Sequence, residues 1–198
     1  MRAEPATATG PEPHAASTLA ALRVALLTAL AYGAASFLVG ALALDGPAGY
    51  ASPLYPSAGI GLAAVLAYGR AALPGVALGA IAFNVGLVLE RWSGNVVLLI
   101  VVPLAVGAGA ALQAAAGAAL VRRHVTQPLV LDAPRDIVRF ALLGALLACC
   151  ISASFGTLAL LATGELAAGA WLGNWLTWWI GDALGVLMCA PLALTLVG

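Results

Sequence analysis

From Val24 to Leu44 the chain runs 21 residues without a charge, and stretches of the same kind recur almost to its end. Each crossing of a hydrocarbon layer takes about 20 apolar residues, so this pattern constrains the fold more than any motif does. With 63% hydrophobic and only 8% charged residues, a water-soluble globule is excluded and an integral membrane protein is implied. Arginines balance acids overall, so net charge points to no nucleic-acid or acidic partner, and no basic patch with interleaved aromatics is present.

Hydropathy and helix breakers divide the chain into six spans near 19–44, 55–69, 71–89, 95–121, 137–162 and 171–197, preceded by a Pro-, Ala- and Thr-rich tail, 1–18, expected to be disordered. The fold class is therefore an all-α polytopic helix bundle. The first run is longer than a signal-peptide core, although Ala41-Leu42-Ala43 resembles a processing site, so an uncleaved first span is expected. Arg2, Arg23, Arg70, Arg122, Arg123, Arg135 and Arg139 fall on one side of this layout and Arg91 alone on the other. Cytoplasmic segments carry the excess of Lys and Arg, which places both chain ends in the cytoplasm. Asp45, Glu90 and Glu165 then lie in the outer connections, with Trp92 and Trp171 at belt height. The polar connection 122–136 reads as a solvated loop; together with the C-terminal end of the sixth span it is also the candidate surface for a cytoplasmic partner.

Small residues recur four apart, at Gly75/Gly79, Gly107/Ala111 and Gly181/Gly185, a spacing that lets helix backbones approach closely in lipid. Cys149, Cys150 and Cys189 lie in apolar runs without the spacing of a metal or redox site, so they read as packing residues and no metal or cofactor is expected. Catalytic motifs are missing too: there is no GxSxG, HExxH or Walker loop.

The polar residues inside the spans remain. Asp182 lies eleven residues beyond Trp171, roughly 16 Å along a helix and close to mid-membrane, where an ionisable side chain costs about 2.5–3.5 kcal/mol to insert. Asn174, Trp178, Asp182, Gly185 and Cys189 share one helix face, a polar and aromatic stripe leading down to the carboxyl group. Two readings fit: a water-accessible cavity in which Asp182 meets a cation, a ligand donor or a proton, and a hydrogen-bonded Asp that ties helices together. Asn84 is the second candidate, about 9 Å inside the outer boundary. Gln113 on the fourth span, and the Cys149, Ser152 and Gly156 face of the fifth, read as interhelical packing.

Near LYPSAGIGLA, 54–63, the second span is short. Pro56 precedes Ser57, a candidate N-cap, and only thirteen residues separate Ser57 from Gly69. That helix rises about 20 Å against a hydrocarbon layer of about 30 Å. Either its start is recessed, with non-helical chain lining an outward vestibule between Ser57, Asn84 and Asp182, or it extends through Pro56 and spans with a tilt.

Two blocks, LYPSAGIGLAAVLAYGRAALPGVALGAIAFN at 54–84 and NWLTWWIGDALGVLMCAPLAL at 174–194, resemble the first-type membrane-associated sensor domain, MASE, and RDIVRFALLGALLACCISASFGTLAL at 135–160 is similar as well. This family forms the N-terminal input module of bacterial sensor histidine kinases and of cyclic-di-GMP enzymes. By position the resemblance picks out Pro56, Gly59, Gly69, Arg70, Pro74, Gly75, Gly79, Asn84, Trp178, Trp179, Gly181, Asp182, Gly185 and Pro191, most of them helix-shape residues. Tyr55 stands where the family usually has Trp, a mild change between amphipathic aromatics. The family usually has eight spans and a soluble output domain, so the chain is expected to lack its last two spans and that domain.

The resemblance implies a sensory input domain in the bacterial cytoplasmic membrane, without enzymatic activity of its own, that detects a small molecule or a membrane state. Ligand-sensing candidates are Asp182, Trp178, Asn84, Asn174 and Ser57; Pro56, Gly59, Gly181 and Gly185 shape the helices around them. Expected partners are the lipid bilayer, a cytoplasmic output domain or separate output protein, an unidentified small ligand, and a second copy in a homodimer. Six spans in this length also suit the substrate-binding component of an energy-coupling-factor transporter, and a structural anchor is a third reading.

Overall fold

Hydrocarbon offers no partner to a backbone N–H or C=O, so a chain this apolar has to satisfy its backbone within helices. A computed structural model describes residues 13–41, 51–91 and 94–197. It consists of α1 (Pro13–Ala41), α2 (Pro56–Tyr68), a 3-10 turn (Gly69–Ala72), α3 (Leu73–Glu90), α4 (Val96–His124), α5 (Pro134–Arg139), a π-helical stretch (Phe140–Leu147), α6 (Ala148–Ala162), a short 3-10 turn (Ala168–Ala170) and α7 (Trp171–Val197). Among the described residues there is no strand. Leu22, Leu26 and Leu30 on α1, Leu104 on α4, and Met188 and Leu192 on α7 are all more than half exposed, as lipid-facing side chains are. The protein is an all-α, polytopic, integral membrane protein.

Five helical stretches are long and apolar enough to cross a bilayer. One of them, the 35 residues of Pro56–Glu90, is folded back on itself. Gly69 adopts φ 69°, a left-handed conformation open to glycine at little cost, and ends α2. The Tyr55 and Phe83 rings consequently lie 6.3 Å apart, whereas a straight helix would separate these residues by roughly 42 Å. Where six spans were expected, five stretches are long enough to cross; the bend divides one of them into two rods, of which α2, with 13 residues, is too short to cross alone. From α4, Arg122 donates to the Val65 and Leu66 carbonyls, at 2.6 and 3.1 Å, covering the α2 C-terminus.

Several boundaries differ from the sequence expectation. Helix α1 begins at Pro13 and takes in the last part of the predicted tail; residues 1–12, like Asp45 and Trp92, lie outside the described residues. Fifth-span helix begins at Pro134, with proline in the first turn, where its missing N–H costs nothing. Asp136 in that turn is buried and Arg139 donates to the His124 carbonyl at 3.0 Å, so the 122–136 connection is tied back to the bundle at its far end.

Close contacts between helices occur where glycine permits them. Gly75 and Gly79 bring α3 against Ala25, Ala29 and Tyr32 of α1; Gly107 brings α4 against Ala77 and Ile81 of α3. Gly109 sets α4 beside Phe155 of α6, and Gly59 sets α2 beside Gly185 and Cys189 of α7. Short α2 thereby sits at the centre of the bundle, with α1, α4 and α7 around it.

Candidate functional site: a buried carboxyl beside non-helical chain

A residue before proline is pushed toward extended backbone, and Tyr55 obeys, with φ −128° and ψ 83°. Pro56 then opens α2 as its first helical residue. The preceding segment, 51–55, is not helical, yet it lies against the middle of α7. Tyr55 N–H donates to the Gly181 carbonyl at 3.0 Å. A Cβ at Gly181 would overlap the Ser52 carbonyl oxygen, and one at Gly185 would overlap that of Tyr55. Gly181 lies about 15 Å along α7 from Trp171, so non-helical backbone is buried in protein beside the middle of a helix long enough to cross, the setting in which a membrane protein tolerates it.

Around this segment the structure encloses a small cavity lined by Ser52, Tyr55, Phe83, Asn84, Trp178 and Asp182. Its volume is about 10 Å³, room for about one water molecule. Three of the sequence candidates, Asn84, Trp178 and Asp182, thus meet at one place, contributed by α3 and α7. Each is buried, with Asp182 only 2% exposed. Asn84 donates its Nδ2 to the Ala80 carbonyl at 2.9 Å. Trp178 lies over Gly156 of α6, where any side chain would strike the indole. Ser152 of α6 and Gln113 of α4 present hydrogen-bonding side chains to the Asp182 carboxyl. Even so, Asp182 Oδ1 has no hydrogen-bond partner among the described residues, nor has Gln113 Oε1 or Asn174 Oδ1. No arginine or histidine lines the cavity, and the chain contains no lysine.

Two candidates lie elsewhere. Ser57 is the second residue of α2, not its N-cap: the helix has already begun at Pro56, and the Ser57 hydroxyl donates instead to the Tyr32 carbonyl on α1 at 3.0 Å. It also meets Ser36 Oγ at 2.8 Å, and Ser36 in turn meets the Tyr55 hydroxyl at 2.8 Å. Ser57 therefore reaches the cavity only through Tyr55. Asn174, two turns above Asp182, donates to Thr157 Oγ1 of α6 at 3.0 Å and does not line the cavity. Beside the stripe, Trp175 and Trp179 stack at 5.9 Å, and Trp179 Nε1 donates to the Leu146 carbonyl of the π-helical stretch at 2.8 Å.

Sequence reasoning missed Ser52, Tyr55 and Phe83 as cavity walls and gave Gln113 and Ser152 to packing. Tyr55 is the most consequential of these, since it is fixed at two points: its backbone to α7 at Gly181 and its hydroxyl to α1 at Ser36. An aromatic directly before a helix-opening proline was the available signal. The proposed outward vestibule is, in this structure, a cavity of one-water size. Its expected entry chain at 46–50 lies outside the described residues. Among the described residues no three His, Cys, Asp or Glu side chains cluster as transition-metal ligands do.

A bundle of lipid-facing helices enclosing a carboxyl beside a broken helix defines a class: polytopic membrane domains with a buried polar site. The chain belongs to the MASE1 family, whose profile matches residues 22–197, nearly all of it. It is accordingly a membrane-associated sensory input domain. No curated protein and no solved structure matches the chain.

Proposed function

We propose that this domain sits in a bacterial cytoplasmic membrane, detects a small molecule or membrane state at the Asn84, Trp178 and Asp182 cavity, and relays it to a cytoplasmic output domain or partner protein. The observation that carries this reading is the buried Asp182 carboxyl, whose Oδ1 has no hydrogen-bond partner among the described residues, beside the non-helical Ser52–Tyr55 chain. An ionisable group in a span is costly and is retained where it serves a ligand, ion or proton.

Relay follows from the fixing of Tyr55. A stimulus that alters the occupancy of the cavity changes how Tyr55 and Ser52 sit against Gly181 and Gly185. The Tyr55–Ser36–Ser57 hydroxyl contacts carry that change to α1, and α2 and α7 carry it toward the arginine-rich end. A ligand shifts such an equilibrium only by its differential affinity for the two arrangements. The test is Asp182→Asn in the full-length protein that carries this domain. The variant is expected to remain monodisperse in detergent and to lose the signalling response; a folded variant with an unchanged response removes Asp182 from the mechanism.

A further inference from the structure

We infer that the cavity bounded by Ser52, Tyr55, Phe83, Asn84, Trp178 and Asp182 binds a single monovalent cation no larger than a water molecule, with the Asp182 carboxylate as its counter-charge. This rests on the reading of the cavity as the sensory site, but binding and signalling are separately measurable.

Charge is the first argument. Asp182 is 2% exposed and its Oδ1 is without a partner among the described residues. The groups in its electrostatic reach that can titrate are Tyr32, Tyr55 and Cys149, which are neutral in their ordinary state and supply no positive charge. Of the other acidic residues, Glu90 and Glu165 lie exposed at one end of the bundle, and Asp136 lies near Arg135 at the other. In its ionised form Asp182 therefore places one unit of negative charge in the interior with no cationic partner, and one unit of positive charge cancels it. A divalent ion would leave a net positive charge in the same low-dielectric setting.

Size and donors point the same way. About 10 Å³ admits one particle of water size, which narrows the small ligand of the sensory reading to an ion rather than an organic metabolite. Asn84 uses one of its two amide hydrogens on Ala80 and keeps a side-chain oxygen able to accept or to ligate a cation, and Ser52 adds a hydroxyl. These are hard oxygen donors, suited to alkali-type cations rather than to metals that prefer sulfur or imidazole. The rings of Trp178, Tyr55 and Phe83 complete the wall, and aromatic faces attract cations. A lone water would satisfy hydrogen bonds but leave the charge.

The test uses the purified full chain in detergent at fixed pH and constant ionic strength, with Na⁺, K⁺ or NH₄⁺ chloride replacing N-methylglucamine chloride. Tryptophan fluorescence and melting temperature are the readouts. At least one of the three cations is expected to give a saturable, one-site response that is lost in Asp182→Asn and weakened about tenfold in Asn84→Ala. No response to any of them in the wild-type chain, a response that survives Asp182→Asn, or one that follows pH alone and so reports a proton overturns the inference. Signalling that persists in a protein blind to all three cations sinks the cation and leaves the sensory reading standing. Asp182-dependent binding with an output indifferent to cations does the reverse.

Discussion

Replacing Gly185 with alanine adds one methyl group where the structure has no room for it. The new Cβ would overlap the Tyr55 carbonyl oxygen and lie 2.6 Å from the Tyr55 carbonyl carbon and 3.2 Å from Pro56 N. All three are backbone atoms, so no side-chain rotation relieves the clash; the 52–56 segment must retreat from α7 by about 1 Å, a shift of the kind that overpacking forces. Such a retreat stretches the 3.0 Å Tyr55 N–H to Gly181 contact toward about 4 Å, beyond hydrogen-bonding range. Overpacking and the lost hydrogen bond together cost about 2–4 kcal/mol. For a domain of this length the melting temperature should fall by roughly 5–15 °C. The assay is thermal unfolding of the purified protein in detergent, with Gly173→Ala as control, since a Cβ at Gly173 meets nothing. A Gly185→Ala protein that melts within about 1 °C of wild type, where overpacking alone should cost more than that, would refute the close packing of non-helical chain on α7.

Arg122→Gln removes the donors to the Val65 and Leu66 carbonyls; exposure limits the cost to about 1 kcal/mol, read as faster hydrogen exchange at the Gly69 amide, which bonds to Val65. Asn95→Ala removes the side chain that accepts from Val97 and Leu98 N–H at the start of α4; a loss of about 1 kcal/mol and fraying confined to those amides are expected. Exchange rates unchanged from wild type would count against either cap.

The helices, the glycine contacts and the burial of Asp182 were legible in the sequence because each depends on spacing along one element. Gly181 and Gly185, four residues apart, had to face a close neighbour, and the shortness of the second span was plain, although spacing left open whether it starts recessed or spans with a tilt. Which backbone meets those glycines was not legible. It is the extended Ser52–Tyr55 segment, from another part of the chain, and periodicity says nothing of the rotation of one helix relative to the next. The same gap hid Phe83 as a wall and the approach of Gln113 and Ser152 to Asp182. Ser57 was misplaced by one element of local chemistry: its hydroxyl found a carbonyl on α1, so Pro56 rather than a serine cap opened the helix. The π-helical turns at Phe140–Leu147 carry no residue that marks them in advance.

The fold-back at Gly69 also governs how such a chain enters a membrane. Pro56–Glu90 is 35 apolar-rich residues, long enough to be threaded as one steep crossing or as a hairpin. A hairpin returns Glu90 to the side from which the chain came; a single crossing delivers it to the other. Every later helix inherits that parity, so α4, α6 and the Asp182-bearing α7 would all be inverted by one missed bend. A left-handed glycine followed by a single arginine, Arg70, thus bears on the direction in which α7 carries Asp182 through the bilayer.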